Sequence, residues 1–306
     1  MCKILYHDVE TKNILHVNLD DFGRIRTFIR HKFTDWNDDP IPIDIANSKL
    51  GLSCRNSLDV QMIEVGKCNL HCWWCYLPDI IRTVHEKYMK WFTASELLDL
   101  ILRDNSECRC IYISGGNPEL VPELIFDFMK ELKKRNLDHK ILLWSDDVLT
   151  TDYLFHLDAS KLNYMIKYKN YAKVCCLKGF DDDSFSFNTL LPKECFYQQL
   201  ERLKKYIYLG FDVYVYIVFT CAQVDDVDKK IDSLIQKLQS IHYYLPLRVV
   251  PIKIEEFTAV TGRLNQERKK SLKNQFKVLE VWNKKIEMIY SDYCDKNITS
   301  INLTNV

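Results

Sequence analysis

Short apolar segments alternate with helical patterns from about Leu58 onward, and this alternation limits the possible folds more than any other feature. The apolar segments are rich in Val, Ile, Leu and Tyr, which is typical of strands buried on both faces of a parallel sheet. The predicted strands are Asp59–Val65, Cys110–Ser114, Lys140–Trp144, Lys173–Leu177, Asp212–Phe219 and Leu247–Ile252. Because parallel neighbours need long crossovers, usually helices, the sequence predicts an α/β fold.

Helices with recognisable ends separate these strands. Thr93-Ala-Ser-Glu96 has the pattern of a capping box, and Gly210 follows a helix at the position where a left-handed residue commonly ends it. The predicted helices are Ala94–Arg103, Val121–Arg135, a short one across Thr151–Leu157, Lys193–Leu209, Asp228–His242 and Asn265–Ile289. Periodicity leaves open whether the six strand–helix units form an open doubly wound sheet or most of a barrel. In both folds, ligands bind at the carboxyl ends of the strands.

Two segments lie outside this repeat. Residues 1–57 contain patterns for short strands at Lys3–Tyr6 and Ile14–Val17, and we interpret them as an N-terminal extension. Residues 291–306 are mostly polar, with one strand pattern at Ile301–Leu303, and we interpret them as a C-terminal tail. The sequence therefore predicts one core domain over residues 58–290, flanked by these two segments.

The composition argues against several classes of partner. Lys plus Arg and Asp plus Glu number 42 each, and the resulting zero net charge gives no global electrostatic reason to bind nucleic acid or an anionic membrane. No apolar run approaches the ~18–20 residues that a membrane-spanning helix needs. Charged residues come too early at the N-terminus for a signal peptide. We therefore expect a cytoplasmic protein without nucleic acid or membrane as a partner.

The cysteines are the outlier of the composition, with 12 in 306 residues. In a cytoplasmic chain the thiols stay reduced, and clustered cysteines bind metal or do chemistry. Three of them form a C-x3-C-x2-C pattern directly after the first predicted strand, at Cys68, Cys72 and Cys75. Three thiolates on one loop can hold three irons of a [4Fe–4S] cluster, and the fourth iron is then open to a small molecule. Zinc is the alternative, with His71 as fourth ligand, although His71 directly precedes Cys72 and suits a tetrahedral site poorly.

This loop, Cys68-Asn-Leu-His-Cys72-Trp-Trp-Cys75, resembles the C-x3-C-x-Φ-C cluster loop of the radical SAM superfamily, with Trp74 at the aromatic position. A second motif follows the second strand: Gly115-Gly116-Asn117-Pro118 resembles the GGEP motif of that family, with Asn117 where Glu is usual. The resemblance covers roughly residues 58–257. It implies a (β/α)6 partial TIM barrel with an N-terminal extension.

The resemblance also implies a site. A [4Fe–4S] cluster would be held by Cys68, Cys72 and Cys75, and S-adenosylmethionine (SAM) would chelate its open iron. The backbone of Gly115–Pro118 would take the methionine ammonium, and Trp74 would pack near the adenine. Ser145 or Asp146, after the third strand, would meet the ribose. Lys178, after the fourth strand, would lie near the ribose or the carboxylate.

The implied function is that of a radical SAM enzyme. Reductive cleavage of SAM would give a 5′-deoxyadenosyl radical that abstracts hydrogen from a small-molecule or polypeptide substrate, with a flavodoxin-type or ferredoxin-type protein as electron donor. Aspartates after the predicted strand ends disfavour a phosphate backbone as ligand. The basic last helix keeps an RNA-modifying radical SAM enzyme as an alternative. A non-catalytic iron–sulfur or zinc-binding protein is the alternative from a different class.

Overall fold

The structure is a computed structural model of the chain, and it describes residues 3–6, 16–19, 23–29, 41–52, 56–79, 88–256, 258–293 and 296–303. Ten strands lie in these residues: β1 (Lys3–Tyr6), β2 (His16–Asn18), β3 (Gly23–Ile29), β4 (Ser57–Val65), β5 (Met89–Phe92), β6 (Cys110–Gly115), β7 (Leu142–Asp147), β8 (Tyr171–Leu177), β9 (Val213–Val218) and β10 (Val249–Ile252). The same residues contain nine α-helices: α1 (Ile41–Leu50), α2 (Ala94–Asp104), α3 (Glu123–Lys134), α4 (Ala159–Ile166), α5 (Asp182–Thr189), α6 (Glu194–Leu209), α7 (Val227–Ile241), α8 (Thr258–Thr261) and α9 (Gln266–Ile289).

The strand order decides between the two α/β folds that periodicity left open. The sheet runs β10-β9-β8-β7-β6-β4, so strands that are consecutive in the repeat are neighbours. The pairs β4–β6, β6–β7 and β9–β10 are parallel. A doubly wound sheet would reverse its order at a switch point. The order here never reverses, and the predicted (β/α)6 partial TIM barrel with an N-terminal extension is confirmed.

The N-terminal extension contributes strands to the same sheet. β3 pairs antiparallel with β4 from Ile29 opposite Ser57 to Gly23 opposite Ile63, and β2 pairs with β3. β1 pairs antiparallel with both β4 and β5. The strand predicted at Lys3–Tyr6 is confirmed. Ile14 and Leu15 of the strand predicted at Ile14–Val17 lie outside the described residues, and the described strand there is His16–Asn18.

Several other predicted elements needed correction. The helix predicted across Thr151–Leu157 is wrong: this segment contains only a 3-10 turn at Leu154–His156, and α4 begins after it. The strand predicted at Ile301–Leu303 is wrong as well, because these residues are irregular and follow a 3-10 turn. Helix α5 was missed, since its eight residues are too few for a clear helical period.

The chain divides into two compact units, and each has its own packed interior. The first consists of residues 1–69, 77–147 and 151–173, and the second of residues 70–76, 148–150 and 174–306. In the first unit, the apolar face of α2 is buried with Leu97 and Ile101, and Ile113 of β6 is also fully buried. In the second unit, Ile217 of β9 and Leu234 of α7 are fully buried. The division 1–57, 58–290 and 291–306 stays a prediction.

Candidate functional site

The cysteine loop directly follows β4. Cys72 is buried, whereas Cys68 and Cys75 are partly exposed, and none of the three forms a disulfide with another described cysteine. The N–H of Cys75 donates to the carbonyl of Cys72 at 3.1 Å, and Arg263 donates to the carbonyl of Cys75 at 2.7 Å. A tight turn therefore orders the C-x2-C half of the loop, and the guanidinium of Arg263 contacts the last residue of this turn.

The two glycines of the second motif lie against the backbone that leads into the cysteine loop. Gly115 has a φ of +89°, and a Cβ there would lie 2.8 Å from the Cα of Glu64. A Cβ on Gly116 would lie only 2.1 Å from the carbonyl oxygen of Lys67. The N–H of Gly116 donates to Val65 at 2.7 Å, and that of Asn117 donates to Lys67 at 2.9 Å. Close contact between two backbone segments is thus one reason for both glycines.

Asn117 replaces the usual Glu of the motif, and its contacts explain why an amide is suitable. It is fully buried. Its Nδ2 donates to Oδ1 of Asn69, 3.1 Å away, and its Oδ1 accepts from the N–H of Glu119 at 3.2 Å, which starts a 3-10 turn at Pro118. A carboxylate has no proton to donate to Asn69. The side chain of Asn117 therefore connects the glycine turn to the cysteine loop.

A buried group of charges surrounds Glu119, the residue directly after the Gly115–Pro118 motif. Glu119 is 1% exposed and pairs with Lys173, which is fully buried. The ammonium of Lys173 also lies 3.8 Å from a carboxylate oxygen of Asp147, at the end of β7. Buried charges require partners of opposite sign because an uncompensated charge is costly in the protein interior. Sequence reasoning missed this group, since its members are far apart in the chain.

Ser145 and Asp146 point to opposite faces of β7. Ser145 is fully buried, and its hydroxyl lies 2.7 Å from that of Tyr171. Burial raises the pKa of Tyr171 to about 12. Asp146 is only partly buried, and its carboxylate accepts from Tyr112 at 2.7 Å and from Ser114 at 2.6 Å. Of the two residues predicted to meet the ribose, Asp146 is the more accessible.

The second unit brings two of the predicted cofactor residues together. The ammonium of Lys178 lies 5.2 Å from the centre of the Trp74 ring, within the range of a cation–π contact. Lys178 is 8% exposed. The indole nitrogen of Trp74 is buried, and no described residue accepts a hydrogen bond from it. A buried donor of this kind is suited to an acceptor on a bound ligand.

Polar residues that sequence reasoning did not single out hold the end of β8. Gln199 of α6 accepts from the N–H of Lys178 at 3.2 Å and donates to the carbonyls of Val148 and Cys176. Asn188 of α5 donates to the carbonyl of Lys178 at 2.9 Å. Both residues are nearly inaccessible to solvent. Their signal in the sequence is weak, because a single Asn or Gln in a helix is usually a surface residue.

The aspartates that the sequence placed after strand ends are largely paired. Asp181 caps α5 by accepting from the N–H of Ser184 at 2.7 Å. Lys230 lies 2.7 Å from Asp181 and 3.2 Å from Asp183. Cys221, which lies three residues after β9, is also buried, and burial raises its pKa to about 12. A protonated thiol of this kind is a poor nucleophile.

Comparison with known proteins supplies the family. A family model described as the radical SAM superfamily matches residues 63–233, which is more than half of the chain. The chain belongs to the radical SAM superfamily. Members of this family are enzymes that bind a [4Fe–4S] cluster and SAM, the two cofactors that the resemblance predicted. No curated protein matches the chain significantly.

Two solved structures were compared with the chain, one of a SAM-bound protein and one of a radical SAM methyltransferase. SuiB of Streptococcus suis, bound to S-adenosylmethionine, is 16% identical over 76% of this chain and 48% of its own, with a TM-score of 0.51. A radical SAM methyltransferase from Sphaerobacter thermophilus is 13% identical over 74% of this chain and 64% of its own, with a TM-score of 0.48. The chain spans about half the length of the SuiB chain. At 16% identity, the likeness to SuiB shows a shared fold and nothing more.

Within the described residues, no helix of this radical SAM protein is both long and apolar enough to cross a bilayer.

Proposed function

We propose that this enzyme binds a [4Fe–4S] cluster through Cys68, Cys72 and Cys75, and cleaves SAM reductively to act on a small-molecule or polypeptide substrate. The observation behind this proposal is the cysteine loop at the carboxyl end of β4, with the glycine turn hydrogen-bonded to the residues that lead into it. With the cluster and SAM bound there, and with one electron from a flavodoxin-type or ferredoxin-type donor, the site would supply radical chemistry that removes a hydrogen atom from the substrate.

The chain's own residues have separate tasks in this proposal. The thiolates of Cys68, Cys72 and Cys75 would hold the cluster, and SAM would bind to it through its amino and carboxylate groups. The backbone of Gly115–Pro118 receives the methionine ammonium. Trp74 packs near the adenine, and its buried N–H offers a donor to the ligand. Lys178 supplies a positive charge for the carboxylate or the ribose, and Ser145 or Asp146 a polar contact to the ribose.

The donor set suits a cluster, because three thiolates lie on one short loop, whereas a zinc ion would need His71, directly before Cys72, as its fourth ligand. Ligand atoms around zinc lie within about 4 Å of one another. Among the described residues, the only group of His, Cys, Asp and Glu with ligand atoms within 4.8 Å of each other is Asp181–Asp183. The aspartates are explained by their lysine partners and by the helix cap.

The basic last helix gives limited support to RNA as the substrate. Lys285 of α9 pairs with Asp232 at 2.7 Å, and Lys277 pairs with Glu280 at 3.2 Å. These pairs reduce the positive charge available to phosphates. A substrate without a polyanionic backbone is therefore the better supported proposal.

The test is anaerobic reconstitution with iron and sulfide, followed by electron paramagnetic resonance of the dithionite-reduced protein with and without SAM. We expect a [4Fe–4S]+ signal that changes on addition of SAM, and 5′-deoxyadenosine as a product even without substrate. Cys72→Ser should lose the signal. Cys195→Ser is the matched control, because Cys195 likewise forms no disulfide with a described cysteine but lies in α6. A signal that ignores SAM, or one zinc without labile sulfide, would refute the proposal.

A further inference from the structure

Asn188, in the last turn of α5, forms every hydrogen bond that its side-chain amide can make. Its Oδ1 accepts from the indole N–H of Trp73 at 3.2 Å and from the hydroxyl of Thr220 at 2.7 Å. Its Nδ2 donates to the carbonyls of Lys178 at 2.9 Å and Thr220 at 3.1 Å. The residue is fully buried, so each of these bonds is made without competition from water.

The main chain of Asn188 adds a fifth hydrogen bond, which is a second one to Trp73. Its carbonyl accepts from the backbone N–H of Trp73 at 3.2 Å. Trp73 is therefore held by both its backbone and its side chain, and it is 2% exposed. The next residue in the chain is Trp74, whose ring faces the ammonium of Lys178. One amide thus links the residue between Cys72 and Trp74 to the ends of β8 and β9.

The local fold is built to bring Asn188 to this point. A Cβ on Gly179 would lie 2.3 Å from the backbone nitrogen of Phe185, so only glycine lets α5 start so close to the end of β8. Asp181 and Ser184 form a capping box that starts the helix there. The helix then ends at Leu190, which has a left-handed backbone. Two turns are enough to return the chain to Lys178.

We infer that Asn188 is a positioning residue of the SAM site, which sets the place of the Trp73–Trp74 segment relative to Lys178. The inference rests on the proposed function, because it assigns that segment to SAM binding. A purely structural residue would change stability alone. A positioning residue also changes how the cluster responds to SAM, in protein that is folded and loaded.

The test removes single bonds and leaves Asn188 itself in place, since its own substitution risks misfolding. Trp73→Phe deletes the indole N–H but keeps the backbone bond to Asn188 and an aromatic ring. Thr220→Val deletes the hydroxyl. Trp282→Phe is the matched control, because Trp282 is 3% exposed in α9 and its ring contacts Phe219. The apo-proteins are compared by thermal unfolding and by amide hydrogen exchange of residues 70–76.

The reconstituted proteins are compared by the paramagnetic signal per cluster and by the SAM concentration that half-saturates its change. We expect Trp73→Phe to raise the SAM dissociation constant about fivefold, which corresponds to about 1 kcal/mol for one hydrogen bond. Exchange in residues 70–76 should also become faster, and Thr220→Val should act in the same direction. Trp282→Phe should leave the dissociation constant within about twofold of the parent.

If Trp73→Phe and Thr220→Val lower the melting temperature but leave the signal and the SAM dissociation constant unchanged, Asn188 is structural only, and the inference is wrong. If the paramagnetic signal of the parent protein does not change on addition of SAM, this different result refutes the proposed function, and this inference with it.

Discussion

A methyl group added at Gly116 tests the junction between the glycine turn and β4. A Cβ there would lie 2.1 Å from the carbonyl oxygen of Lys67 and 2.8 Å from that of Val65. Both distances are below the 3.0 Å at which something must shift, and both neighbours are backbone atoms. The turn and the end of β4 must therefore separate in Gly116→Ala.

The magnitude follows from the bonds that this separation weakens. The same two oxygens accept the N–H groups of Gly116 and Asn117, at 2.7 and 2.9 Å. A buried backbone group left without its partner costs about 1–3 kcal/mol. With two such bonds affected, we expect Gly116→Ala to lower the free energy of unfolding by about 2–5 kcal/mol.

Other glycines of the chain separate the effect of space from that of backbone conformation. Gly51 has a φ of +63° but nothing within 4 Å of its Cβ position, so Gly51→Ala should cost only about 1 kcal/mol. Gly262 has open space and an ordinary φ, so Gly262→Ala should change the free energy of unfolding by less than about 0.5 kcal/mol. Gly115 combines a φ of +89° with close backbone contacts, and Gly115→Ala should cost at least as much as Gly116→Ala.

The assay is urea unfolding of the apo-proteins followed by circular dichroism, with the iron content measured after reconstitution. We expect the order of stability to be Gly262→Ala, Gly51→Ala and then the two motif variants, and the motif variants to retain less iron. If Gly116→Ala is as stable as Gly262→Ala, the backbone contact does not constrain this position and the reasoning is refuted.

Three further predictions concern buried polar groups. Lys173→Met leaves the carboxylate of Glu119 buried without its partner and should lower the free energy of unfolding by about 3–5 kcal/mol; a loss below about 1 kcal/mol in calorimetry would contradict this. Arg248 is 6% exposed and donates to the carbonyl of Ile301 at 2.7 Å. Arg248→Met should therefore lower the free energy of unfolding by about 2–4 kcal/mol and speed proteolysis of the C-terminal residues, and unchanged proteolysis would argue against the contact. Burial raises the pKa of Cys221 from 9.0 to about 12, so the folded protein holds this proton more tightly than the unfolded chain does, and the stability that this contributes is present below pH 9 and is lost as the pH rises toward 12. The free energy of unfolding should therefore fall less between pH 8 and pH 10 in Cys221→Ala than in the parent, and an equal fall would exclude this group as the cause.

The sequence alone was sufficient to predict those features that depend on residues close together in the chain. The six strands of the repeat were found from runs of apolar residues, and each agrees with the structure to within a few residues. The capping box at Thr93 and Glu96 is formed as predicted. The C-x3-C-x2-C spacing and the family were likewise recognised from adjacent residues, and the family match confirms the latter. Such features depend only on neighbours along the chain.

Only the tertiary structure decided the rest. Periodicity does not record which strands are neighbours, so the barrel order had to come from the pairing of strands. It also does not say which face of β7 is accessible, and Ser145 proved to be fully buried against Tyr171, whereas Asp146 is partly exposed. Asn188 and Lys173 acquire their roles from partners 10 to 115 residues away. A hydrogen bond or ion pair between distant residues leaves no period in the sequence, because its geometry exists only after the chain has folded.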